Sequence, residues 1–131
     1  MAEPLEVEVV ATDRKVWTGQ ATMVTFSTPI GSVGIMPVHA PLLSILRDGP
    51  VLVRPPEGDD IYIAAHSGFA LVDDGKVYIL AQSAELADEI DVAQAKALIQ
   101  EAEASADGEG KERALKRAET RLAVAEKAGA R

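Results

Sequence analysis

The spacing of apolar residues changes period once along this chain, and that change limits what the chain can fold into. Up to about residue 85 the period is two. Leu5, Val7 and Val9 alternate with Glu6 and Glu8, as on a half-buried strand. Thr22–Thr28 puts Val24 and Phe26 on one face, and the runs Pro50–Pro55 and Ile61–His66 flank a polar turn, Glu57-Gly58-Asp59-Asp60. Asp74-Gly75, set between the apolar runs of Phe69–Ala81, is a strong hairpin signal. Short strands with such turns predict a β-sandwich or barrel. From Asp91 the period becomes helical: Val92, Ala95, Ile99, Ala102 and Ala106 recur at alternating steps of three and four. Asp91 is the predicted N-cap, with Gln94 as its capping-box partner. Ser105–Gly110 interrupts the pattern, which resumes at Leu115, Ala118, Leu122 and Ala125. The prediction is a β-domain over 1–86 and an antiparallel α-helical hairpin over 87–131. Alanine dominates both seams, so the helices can approach closely but bury little apolar area, and at about 25 cal/mol per Å² the hairpin is marginal by itself. It needs the sandwich, a ligand or a partner to hold it.

Composition removes several function classes. With no cysteine, disulfides, thiolate nucleophiles and Cys-ligated metals are excluded. The two histidines, His39 and His66, lie too far apart in sequence to read as a zinc-ligand pair. A net charge of −8 and a pI near 4.7 argue against nucleic acid as a partner. No stretch approaches the ~18 apolar residues of a membrane span, and Met1-Ala2-Glu3-Pro4 lacks the features of a signal peptide; the expectation is a cytosolic chain. Apolar residues make up 47 % but aromatics only 4 %, so small aliphatic side chains fill the core. The charge is uneven: residues 1–90 carry all of the net −8, whereas 91–110 is −4 and 111–131 is +4. This asymmetry points to two pieces with different jobs.

The stretch Gly31–Leu43, GSVGIMPVHAPLL, is the obvious place to seek chemistry. A catalytic His39 needs a nucleophile or an orienting carboxylate, and the nearest candidates in sequence are Ser44 and Asp48. Gly31, Gly34, Pro37 and Pro41 instead read as a tight corner between strands, held by a local hydrogen bond from His39. The glycines do not form a phosphate-binding loop, for the G-x-x-x-x-G-K-[ST] pattern is missing and no helix opens after them.

The order G-x-x-G-I-x-P-x-H-A-P-L at Gly31–Leu42 resembles the signature of the epsilon subunit of bacterial F-type ATP synthases. Ser67–Glu85 resembles the last sandwich hairpin of that family, Glu89–Ala97 the start of its first helix and Ala114–Lys127 its last helix. The resemblance implies an antiparallel β-sandwich of about ten strands followed by a helical hairpin. It also implies a non-catalytic rotor subunit of the central stalk of a proton-translocating ATP synthase, at the cytoplasmic face of the bacterial plasma membrane. The implied partners are the gamma subunit and the c-ring, met by the sandwich, and the alpha and beta subunits of the catalytic head, met by a mobile hairpin that restrains ATP hydrolysis. The membrane is reached only through the complex, and no cofactor is required. A docking loop is implied at Gly31, Ser32, Gly34 and His39.

Some members of the family bind ATP between sandwich and hairpin. The implied ligand set here is Glu85, Ile90, Asp91, Ala95, Arg117 and Arg121, with Gln94 where the motif has an arginine. Losing that guanidinium removes a charge-assisted hydrogen bond of roughly 1.5–3 kcal/mol, so ATP is expected only as a weak regulatory ligand. Arg113, Arg117 and Arg121 recur every fourth residue as one cationic stripe. Three readings stay open for it: contact with the catalytic head, nucleotide binding and a solvated face. The rival reading of the whole chain is a stand-alone ATP-sensing module, and Gln94 counts against it.

Overall fold

The computed structural model describes residues 3–129. Met1 and Ala2 of the N-terminal reading, and Ala130 and Arg131 of the hairpin, lie outside the described residues. The strands are β1 (Leu5–Ala11), β2 (Lys15–Ala21), β3 (Met23–Thr28), β4 (Gly31–Ile35), β5 (Leu42–Leu46), β6 (Gly49–Arg54), β7 (Ile61–Asp73) and β8 (Lys76–Leu86). A 3-10 turn at Ala87–Glu89 leads to α1 (Val92–Ala104) and α2 (Glu109–Gly129). The alternation read from β1 and β3 holds: Leu5, Val7, Val9, Val24 and Phe26 are all buried. Asp74 and Gly75 both take positive φ, 49° and 76°, as a two-residue hairpin turn requires.

Pairing runs β2-β1-β8-β7-β6-β3-β4, with β5 also on β7. The long hairpin β7–β8 is what makes this a sandwich. The first half of β7 pairs with β6 and the second half with β5. The register of β5 on β7 (Leu46 opposite Gly68) continues into that of β6 (Gly49 opposite Ala65), so β5 and β6 are one strand direction interrupted at Arg47-Asp48. At that step three neighbouring strands exchange faces together. Inward residues are Ile63 and Ala65 before the step on β7, then Ala70 and Val72 after it. On β8 they are Val77, Ile79 and Ala81, then Ala84. On β5 and β6 they are Leu46, then Val51 and Val53. Strands that bend and change layer form the corner of a sandwich. One layer is therefore β2-β1-β8-β7-β5 and the other β8-β7-β6-β3-β4, enclosing Phe26, Leu5, Ile35, Leu46, Ile63 and Ile79.

Three details depart from the sequence reading. Eight strands form where the resemblance implies about ten, because β7 and β8 run through both layers and each counts twice. The pairing of β1 with β8 is parallel; a long connection between two strands imposes no antiparallel direction, as a tight turn would. The stretch Gly31–Leu43 is not all corner. Its first five residues are β4, an edge strand paired with β3, and its last two open β5.

The helices stack on the outer face of the second layer. Of the predicted seam, Ala95 and Ala102 of α1 and Ala118 of α2 are buried, whereas Val92 is exposed, Ala106 lies beyond the end of α1 and Ala125 flanks a second core; α2 also buries Thr120 and Val124. Val124 packs with Ala64 and Ile90 in a second small core, flanked by Tyr62, Ala87 and Ala125. The helix–sheet contact therefore uses a second stripe of α2 that the search for one seam overlooks.

The corner depends on Gly68. A Cβ there would collide with the carbonyl oxygen of Leu80 on β8, and a backbone atom cannot swing aside. Gly68→Ala is expected to lower sandwich stability by at least about 2 kcal/mol. Gly34→Ala, whose Cβ would meet Thr25 Cγ2 at an ordinary 3.7 Å, is expected to change it by less than about 0.5 kcal/mol. Urea unfolding of the two variants checks both values.

Candidate functional site

The corner leaves a row of polar groups on the face that the helices cover. Asp48 comes abreast of His66 on β7, and His66 is paired with Ser83 on β8. Apolar strands run on either side of this row, so its hydrogen-bonding needs have to be met from above. Helix α2 meets them. Arg121 Nε donates to Glu85 Oε1 at 2.6 Å, and Arg121 Nη2 donates to Glu85 Oε2 at 3.3 Å and to Gln94 Oε1 at 3.0 Å. One turn earlier, Arg117 Nη2 donates to Gln82 Oε1 at 2.5 Å. Arg117 Nε lies 3.7 Å from Asp48 Oδ2.

The same Asp48 oxygen stands 3.8 Å from Nδ1 of His66, while Ser67 Oγ donates to Asp48 Oδ1 at 3.2 Å. His66 is 4 % exposed. Burial pushes its imidazole below the ordinary pKa; Asp48 opposes that shift, and Arg117 reinforces it. Beside these groups is a cleft of about 410 Å³ between sheet and hairpin, lined by Glu85, Gln94, Leu98, Arg117 and Arg121 among others.

The structure thus brings Glu85, Arg117 and Arg121 together and gives other sequence candidates structural work. The Asp91 carboxylate caps α1, accepting from Gln94 N at 3.0 Å. The predicted capping box is only half made: the Gln94 amide oxygen accepts from Arg121, a charged donor, and does not reach back to the N-cap. Ile90 is buried in the second core, and Ala95 is fully buried in α1. Arg113 does not join the other two arginines. Four-residue steps turn a helix by about 40° beyond a full circle each time, and Arg113 is exposed, with no hydrogen bond or ion pair among the described residues.

Gly31, Ser32 and Gly34 are exposed on β4. His39 is exposed in the following loop, and its Nδ1 donates to the Ala40 carbonyl at 2.6 Å. That is the local hydrogen bond expected of it, and it holds no buried corner. His66 and Gln82 escape the sequence reading, and Asp48 enters it only as a candidate partner of His39, whereas the structure sets it against His66. Their signal was the polar pair His66-Ser67 inside the apolar run of β7.

A second clamp fixes the root of the hairpin. Arg14, after β1, donates to both carboxylate oxygens of Glu89 at 3.0 and 2.7 Å, and to the Ala84 carbonyl at 3.2 Å. Glu89 also accepts from Leu86 N at 2.9 Å. Arg14 first, then the Leu86 amide, holds the Glu89 carboxyl below the usual carboxylate range.

These features define a class: a two-layer β-sandwich with a helical hairpin latched to one outer face by two arginines. The sandwich, residues 4–87, matches the family model described as ATP synthase, Delta/Epsilon chain, beta-sandwich domain. The chain is 47 % identical over 114 residues to the ATP synthase epsilon chain of Streptomyces griseus, covering 87 % of this chain and 92 % of that one. It is 44 % identical over 125 residues to that of Streptomyces coelicolor, covering 95 % and 98 %. The chain belongs to the ATP synthase delta/epsilon family. Its fold also matches a chain in the Euglena gracilis mitochondrial ATP synthase (OSCP/F1/c-ring, rotational state 1), with a TM-score of 0.72 at 23 % identity, covering 97 % of this chain and 80 % of that one. A second match is to the central stalk/c-ring structure of Tetrahymena thermophila mitochondrial ATP synthase, with a TM-score of 0.65 at 17 % identity, covering 97 % of each chain.

Removing Arg121 strands the half-buried Glu85 carboxylate and the Gln94 amide. Arg121→Ala is expected to weaken docking of the hairpin by about 2 kcal/mol without unfolding the sandwich. Limited proteolysis should then cut within 92–129 much faster than in the parent chain while the β-domain stays resistant.

Proposed function

We propose that this chain is a non-catalytic rotor subunit of the central stalk of an F-type ATP synthase. In this reading it joins the c-ring to the gamma subunit and restrains ATP hydrolysis through its hairpin. The observation that carries the reading is the contrast between the two outer faces of the sandwich. The second layer is covered by the helices. The first layer exposes a cross-strand row, Ile45, Phe69 and Leu80, which the half-buried Val10 continues onto a fourth neighbouring strand, with Leu43 and Leu71 beside it. Phe69 and Ile45 are each 55 % exposed and Leu80 is 46 % exposed. A patch of this kind on a small domain is a surface for a protein partner, and here the partner is gamma. Strand β4 with its flanking turns, residues 30–39, carries a second apolar group, Ile30, Met36 and Val38, beside Gly31, Ser32 and Gly34, and this edge is the element that rests on the c-ring.

The subunit then works at the cytoplasmic face of the bacterial plasma membrane. No helix among the described residues is long and apolar enough to cross a membrane, and protein contacts hold the subunit there. The alpha and beta subunits meet the hairpin when it leaves the sandwich. Arg117 and Arg121 are freed by that release, and Arg113 is exposed before it. ATP enters only as a weak regulatory ligand. Its phosphates would compete with Glu85 and Gln82, which already hold both arginines.

Placing a carboxylate in the centre of the apolar row should block docking without touching the core. Phe69→Glu is expected to lose co-purification with gamma, alpha and beta subunits from gently solubilised membranes, while its circular dichroism stays that of the parent chain. Retention of gamma by a folded Phe69→Glu chain would refute the assignment of this face.

A further inference from the structure

His66 and Arg117 each keep one buried nitrogen, Nδ1 and Nε, without a hydrogen-bond partner. Both nitrogens face the same Asp48 oxygen, at 3.8 and 3.7 Å, and the Asp48 side chain is itself only 10 % exposed. One carboxylate on the sandwich thus faces a fixed cation from the hairpin and an imidazole that can become a second cation. We propose that protonation of His66 releases the hairpin from the sandwich, so that the latch loosens as pH falls. The inference rests on the mobile-hairpin reading above and adds a signal that controls it.

The groups around His66 determine the sign. From its own sheet it faces Asp48 and Ser67 near the β5–β6 junction, and Ser83 and Glu85 on β8. From α2 it faces Arg117 and Arg121, while α1 contributes the uncharged Gln94 and Leu98 to the neighbouring cleft. The helices therefore add two positive charges, a low-dielectric cover and no carboxylate, and all of these oppose a charged imidazole. When the hairpin leaves, the cover and both guanidinium groups go with it. Asp48 and Glu85 stay, and water returns. The imidazole of the released form thus binds its proton at higher pH than that of the docked form. By linkage the docked form predominates while His66 is neutral in both. It loses population once pH falls through the range in which the released form takes up a proton and the docked form does not. One proton bounds the effect at about tenfold in the docking constant per pH unit inside that range.

The chain has no cysteine, so a dye pair can be placed by Glu57→Cys, in the turn before β7, and Lys116→Cys, on the exposed side of α2. Energy transfer in the full chain should fall between about pH 8 and about pH 5.5, with the β-sheet circular dichroism unchanged. His66→Gln should flatten the profile. The wild-type chain has only two histidines, so proton NMR can follow the His66 ring without ambiguity. His66 should titrate below the ordinary histidine value, and this readout needs no folded variant. Titration of His66 at or above the ordinary histidine value, or the same pH profile in His66→Gln, overturns the proposal. A wild-type signal flat with pH, beside an Arg121→Ala chain that reads as released, overturns the pH response alone. A signal flat in both overturns the mobile hairpin as well.

Discussion

Three adjacent strands reverse their inward and outward faces within one two-residue step, and the rest of the molecule is arranged around that event. A sheet can turn into its own second layer only if neighbouring strands change face together; one strand out of step would aim its valines at solvent. Here the step falls at Arg47-Asp48, His66-Ser67 and Gln82-Ser83. Gly68 lets β7 pass against the Leu80 carbonyl, and Ser67 takes the left-handed backbone at φ 49°. The β1–β2 turn braces the corner, since Thr12 Oγ1 donates to the Gln82 carbonyl at 2.9 Å.

A strand corner interrupts the ladder and places polar side chains where the sheet would otherwise be apolar. Those side chains become a liability under a packed helix unless the helix brings donors to them. α2 carries two of its charged residues inward for this reason. The link between sandwich and hairpin is then a small apolar contact, Val124 on Ala64 and Ile90, together with a set of charged hydrogen bonds. Such a joint suits reversible docking. The apolar area is too small to hold it shut alone, and each partner group can be rehydrated when it opens.

The two outer faces of the sandwich divide the work. One carries the polar corner and its helical cover. The other carries the open row from Ile45 to Val10. This division follows from the exchange of faces. On β7 the same odd-numbered series that points into the core before the corner, Ile63 and Ala65, points outward after it as Phe69 and Leu71. A single apolar strand thus serves the core in one layer and an exposed apolar row in the other.

Much of this was legible in local pattern. Alternation in β1 and β3, the Asp74-Gly75 turn, the Asp91 cap and the alanine seam are dictated by neighbours in sequence, and the chain folds accordingly. The order of motifs also carried the family resemblance, and through it Glu85, Arg117 and Arg121. Strands β2, β4 and β5 are not legible in the sequence, because their burial depends on which strand lies beside them. The His66-Ser67 interruption in β7 was visible as a polar pair, but its meaning was not: period-two reasoning assumes that a strand keeps its faces. The sequence by itself determined where strands give way to helices and where each tight turn falls, since these depend on steps of one to four residues. Only the tertiary structure decided that Asp48, His66, Gln82, Glu85, Arg117 and Arg121 meet. They come from four separate elements, and their meeting depends on a shared register and a shared corner that no local spacing encodes.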